Sequence, residues 1–105
     1  MTKDSDSGED FGNFRLRLFV SGATPRSMRA IAAVRRLCEA RLAGRYSLDV
    51  IDIYRDPEAA RRNQIVAVPT LMRDSPVPRR LFVGDMTDTA PLAAGLGLAV
   101  AVPAG

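Results

Sequence analysis

Histidine is absent from this chain, and Cys38 is its only cysteine. The first absence removes the usual general base, a common metal ligand and the side chain that titrates near neutral pH. The second rules out an internal disulfide, a Cys-x-x-Cys pair and a cysteine-rich zinc site. Together they exclude Ser–His and Cys–His nucleophilic pairs. Tryptophan is also missing, and aromatics make up only 6% of the residues. None interleaves with a basic patch, so no platform for stacking single-stranded nucleic acid is expected. No apolar run approaches the ~20 residues that span a bilayer. The opening MTKDSDSGED is acidic and polar, unlike a secretory signal or a transit peptide, and the expected location is cytoplasmic.

What remains is an ordinary globular composition. The 105 residues suggest one domain, 47% of them hydrophobic and 26% charged. Net charge is +3, from 15 basic and 12 acidic residues. Every basic residue except Lys3 is arginine, which forms forked pairs with carboxylates.

Residues 1–13 read as a disordered tail, with order beginning at Phe14. From there Phe14, Leu16, Leu18 and Val20 alternate with Arg15 and Arg17, the period of a strand. The turn FVSGATPRS follows. Thr24 suits a helix N-cap and Pro25 the first helical position. Met28, Ile31, Val34, Cys38 and Leu42 then form one apolar helical stripe, and Gly44 ends the helix. The run from Leu48 to Ile53 reads as a strand covered on both faces. Asp56 and Pro57 repeat the cap, opening a short helix to about Asn63. A hairpin is expected around DSPVP, with a last strand over Arg80–Val83. Asp88 can cap a final helix through Leu96, although Gly95 and Gly97 each cost it ~1 kcal/mol against Ala. Leu98 to Val102 would serve equally as a strand.

This order, β-α-β-α-β-β-α, predicts a single thioredoxin-like α/β domain. In such a domain the turn after the first strand is the working site, and a proline before the third strand faces it. Pro69 occupies that place, and the topology raises the chance that Val68–Pro69 is cis. Yet the turn holds no cysteine, and it lacks the GxxxxGK[ST] pattern that cradles phosphate. Capping alone is sufficient reason for Gly22, Thr24 and Pro25. Cys38 reads as a core residue, near the end of its helix and not at the N-terminus that would activate a thiol. Asp85 and Asp88 in GDMTD read as a turn residue and an N-cap. No clustered ligand set points to a metal, and no cofactor is expected.

Four pieces in order, LRLFVSGATPRSMRAI, DVIDIYRDPEAA, IVAVPTL and VGDMTD, resemble the circadian clock protein KaiB family. The likeness covers about residues 14–98 and leaves 99–105 as a tail. It implies a non-enzymatic partner protein that binds the N-terminal ATPase ring of a KaiC-like protein. A KaiA-like protein or a sensor histidine kinase is a further implied partner. It also implies two alternative folds. One is a ground-state α/β fold that forms dimers or tetramers, with a remodelled C-terminal half. The other is a thioredoxin-like monomer competent to bind.

By this resemblance Arg26, Arg29, Arg61, Arg62, Arg79 and Arg80 are candidate contacts for partner carboxylates. Thr24, Pro25, Pro69, Gly84, Asp85, Gly95 and Gly97 are candidate structural or fold-switch positions. The chain departs from the pattern at Gln64, Val77, Leu81 and Gly97, and it lacks the acidic C-terminal tail of cyanobacterial members. Two other readings stand beside it: a thioredoxin-like redox or glutathione-dependent enzyme, and a KaiB-like module for a histidine kinase or stress regulator.

Overall fold

In a computed structural model, residues 13–84 and 86–97 are described. The expectations for the first twelve residues, for Asp85 and for residues 98–105, including a strand at 98–102, lie outside the described residues. The elements are β1 (Phe14–Val20), α1 (Pro25–Leu42), β2 (Tyr46–Asp52), α2 (Pro57–Arg62), β3 (Thr70–Ser75), β4 (Arg80–Val83) and α3 (Thr89–Leu96).

Each helix starts where its cap residue satisfies a backbone N–H that has no partner within the helix. Thr24 Oγ1 accepts from Ser27 N (3.2 Å), Asp56 Oδ1 from Ala59 N (3.1 Å) and Asp88 Oδ1 from Ala90 N (3.3 Å). Gly44 and Gly97 follow α1 and α3 with φ of +77° and +84°. Glycine takes this left-handed conformation without the Cβ clash other residues meet. The short helix closes one residue earlier than the pattern suggests, with Asn63 as its cap.

The sheet order is β2-β1-β3-β4. β1 and β2 are parallel, joined through α1, while β1–β3 and β3–β4 are antiparallel. This is the thioredoxin-like arrangement, not the alternative ground-state one. β3 runs on through Asp74 and Ser75, so the turn of the hairpin is confined to residues 76–79. A register shift between Arg15 and Leu16 places Asp74 as the extra residue of a bulge.

The main core lies on one face of the sheet. Phe14, Leu16, Leu18, Val20 and Leu71 meet Ala30, Val34, Leu37, Cys38 and Leu42 of α1, and Leu92, Ala93 and Leu96 of α3. A smaller cluster of Phe19, Met72 and Ala59 lies on the other face, under α2.

Two expectations are corrected here. Met28 is 52% exposed, because the buried stripe of α1 turns through Ser27, Ala30, Ala33 and Val34 instead. β2 is an edge strand covered on both faces only at its end: Ser47 and Asp49 are exposed, whereas Val50 packs on the main core and Ile51 on the smaller cluster opposite. Its β-branched content suits a half-covered pleat equally well.

Candidate partner-binding surface

The β1–α1 turn is held by its own polar groups. Ser27, fully buried at the start of α1, accepts from the Ser21 N–H (3.1 Å) and from the Thr24 hydroxyl (2.9 Å). Asp52 Oδ1, at the end of β2, accepts from the backbone N–H of Gly22 (3.1 Å) and of Tyr54 (2.9 Å). Gly22 has φ of +67°, and a Cβ there would stand 3.4 Å from Tyr54 Cδ2. Glycine thus serves both the backbone turn and the close approach of the ring.

Pro69 lies beside this turn, because Thr70 pairs with Phe19 at the end of β1. The Val68–Pro69 bond is cis, as are Ser75–Pro76 and Val77–Pro78. The Pro69 carbonyl accepts from Gly84 N (3.1 Å), and the Thr70 hydroxyl donates to Ala67 O (2.5 Å). Gly84 has φ of +118°.

The hydroxyls and carboxylate of this end are therefore spent on turns and caps. Cys38 lies elsewhere, buried in the main core, where burial pushes its thiol up to about 11. A thiol so disposed is a poor nucleophile at neutral pH. Among the described residues, no three His, Cys, Asp or Glu side chains gather to hold a metal ion. Nor is any helix among them long and apolar enough to cross a membrane.

What this end offers is shape and apolar surface. Tyr54 is 74% exposed and Val66 93%. A groove of about 480 Å³ runs between α1 and β2, lined by Met28, Ile31, Val50, Asp52 and Arg55 among others. Of the exposed large apolar side chains Met28 lines this groove, and an apolar side chain left in water beside a groove marks a contact surface.

The six candidate arginines are not gathered into one patch. Arg26 and Arg29 are exposed on the first turns of α1, near the groove. Arg61 and Arg62 are exposed on α2, across the sheet, with Arg61 paired to Glu58. Arg79 and Arg80 lie at the opposite end, where β1 begins, and Arg79 Nε is 3.4 Å from Asp74. Pro25 takes the first position of α1, and Gly95 lets α3 close on β4, since a Cβ there would collide with the Phe82 ring.

Two arginines outside the candidate set prove structural. Arg17 forks onto Asp74 (Nε–Oδ2 2.7 Å, Nη2–Oδ1 3.0 Å), and its guanidinium carbon stands 5.7 Å from the Phe19 ring centroid. Arg73 is 6% exposed and donates to the carbonyls of Leu96 (2.8 Å) and Pro78 (2.7 Å). Burial, and then the charge of Arg80, lowers its pKa. Neither its place in β3 nor its burial without a carboxylate follows from the sequence pattern.

The KaiB domain profile matches residues 17–98. The chain is 41% identical over 83 residues to the circadian clock oscillator protein KaiB of Parasynechococcus marenigrum, covering 79% of this chain and 80% of that one. It is 34% identical over 99 residues to the circadian clock protein KaiB3 of a Synechocystis strain, covering 90% and 97%. Among solved structures, the N-terminal domain of Synechococcus elongatus SasA is similar with a TM-score of 0.68 at 29% identity, covering 80% of this chain and 79% of that one. A Drosophila thioredoxin, Deadhead, shares the fold alone, with a TM-score of 0.66 at 15% identity.

Proposed function

The chain belongs to the KaiB family, and we propose from that premise that it is a non-enzymatic clock or signalling adaptor. Its partner on this reading is the N-terminal ATPase ring of a KaiC-like protein, whose phosphorylation state or output it modulates. The observation that carries the proposal is the β1–α1 turn. It keeps the position at which thioredoxin-like proteins do chemistry, beside Pro69, yet its polar groups all close local hydrogen bonds. Beside it stand Tyr54, against Gly22, and Met28, in the groove next to the turn, both exposed. Arg26 and Arg29 border that surface, and Arg61, Arg62, Arg79 and Arg80 supply further contacts for carboxylates. Such exposed pairs steer association and fix register more than they add affinity.

The likeness to the N-terminal domain of SasA favours one second reading, a KaiB-like module that engages a histidine kinase. Size-exclusion and pull-down measurements with the KaiC-like ATPase of the same genome, at several phosphorylation states, test the first. A complex in at least one state is expected, weakened by Tyr54→Ala. No complex in any state sinks it.

A further inference from the structure

Arg73 and Arg80 stand directly opposite each other in the antiparallel pair of β3 and β4. Opposed side chains in such a pair share one face, with Cβ atoms about 5 Å apart, and like charges there repel. Among the described residues neither arginine forms an ion pair that would relieve this. Asp74, next to Arg73 in β3, is held by Arg17 and Arg79, and Asp88 caps the far end of α3. Arg80 is exposed, whereas Arg73 is 6% exposed. A charge so buried ordinarily has a counter-charge beside it.

The Arg73 guanidinium is only partly used. Two of its five N–H donors go to the carbonyls of Leu96 and Pro78, and its Nε has no partner. Gly97 leaves room beside it: a Cβ at that residue would meet only Arg73 Nη1 within 4 Å, at 3.7 Å. Pro78, Arg80 and Gly97, which border the guanidinium, are all exposed, so it lies just beneath the surface. We infer that a phosphate group binds here, between Arg73 and Arg80 at the end of α3. Guanidinium groups grip oxyanions through paired N–H donors. A phosphate monoester carries a charge near −2 at neutral pH, which matches two arginines where a carboxylate would match one. The ligand supplies the counter-charge that the opposed pair lacks. This site goes beyond the partner reading above and shares with it only Arg80.

Inorganic phosphate titrated into the full chain at constant ionic strength, with chloride as the control, tests this by NMR. Saturable shifts are expected at the Arg73 Nε–H and at the backbone amides of Arg73, Arg80 and Gly97. Arg80→Gln changes an exposed residue, so the dispersed spectrum should remain while the midpoint rises at least about tenfold. Arg80→Lys keeps the charge but loses the fork, and its midpoint should fall between the two. The chain has no histidine, so weaker binding at about pH 5 than at about pH 8 would report the second proton of phosphate itself. A parallel titration with glycerol phosphate separates the sources: equal binding identifies a phosphate ester as a ligand, and binding of inorganic phosphate alone identifies the free ion. Shifts that match the chloride control, that centre on Arg26, Arg29, Arg61 or Arg62, or whose midpoint is unmoved by Arg80→Gln overturn the inference.

Discussion

The backbone N–H of Gly22 points at the carboxylate of Asp52, 3.1 Å away, across the open ends of β1 and β2. The same oxygen takes the N–H of Tyr54. One carboxylate thus sets the turn that leaves β1 and the turn that leaves β2, and it holds the exposed tyrosine against the glycine. Asp52→Ala removes the shared acceptor from the partly buried N–H of Gly22 and the exposed N–H of Tyr54. A loss of about 1–3 kcal/mol is expected in chemical denaturation. Faster amide exchange at Gly22 and Tyr54 should accompany it, while the strand amides of β1 stay protected. Asp52→Asn keeps an acceptor oxygen and should cost less.

Thr24 and Ser27 share one hydroxyl network, so their effects should not add. Thr24→Ala removes the cap of α1, at about 1 kcal/mol. Ser27→Ala leaves the Ser21 N–H without its buried acceptor, at about 1–3 kcal/mol. Each change also removes the Thr24–Ser27 contact. The double variant should therefore lose less than the sum, by on the order of 0.5–1 kcal/mol. A double-mutant cycle in urea reads this directly, and strict additivity would separate the two roles.

Arg73 ties the last turn of α3 to the β3–β4 loop through the carbonyls of Leu96 and Pro78. Its Nε has no hydrogen-bond partner, so the guanidinium is only partly satisfied. Arg73→Met keeps the bulk of the stem but releases both carbonyls. A cost of about 1–3 kcal/mol is expected. For a domain of this size each 1 kcal/mol lowers Tm by roughly 4–8 °C. Exchange should rise most in α3, because its C-terminal end is what the guanidinium fastens. A uniform rise over the sheet would refute that local role.

These three positions also mark how far the sequence could be read. The caps at Thr24, Asp56 and Asp88 were legible, since capping depends on a residue type and its immediate neighbours. The element order was legible for the same reason, through period-2 and period-3.6 patterns. The breadth of the α1 stripe was not. Alanine carries little hydrophobic signal, so Ala30 and Ala33 gave no hint that the buried face excludes Met28. The role of Asp52 was hidden because its partners, Gly22 and Tyr54, are backbone groups set by how two strands end together. No local pattern marks Arg73, whose guanidinium is fixed by Pro78 of the β3–β4 loop and Leu96 of α3. The six candidate arginines share chemistry, but sheet topology assigns them to different faces and ends. No local pattern encodes that separation.

The last prediction concerns alkaline pH and the buried thiol. Burial raises Cys38 from 9.0 to about 11, with the neighbouring Glu39 adding to the rise and Arg35 opposing it. The unfolded chain releases this proton near 9.0, whereas the folded chain keeps it until about 11. The folded state therefore binds more protons in that window, and unfolding becomes easier as pH rises through it. The thiol's contribution is fully present below about 9 and gone above about 11. Tyr46 acts in the same direction, since its hydrogen bond to Glu39 raises the phenol, so the wild-type slope alone does not identify the thiol. Cys38→Ala isolates it. The variant is expected to be less stable at neutral pH by on the order of 1 kcal/mol, from the small cavity left. Between about pH 9 and 11 its stability should fall less steeply than that of the wild type, so that the two curves converge. Urea denaturation at half-unit pH steps measures both curves, and parallel lines across the window would mean that Cys38 is not held protonated by the fold.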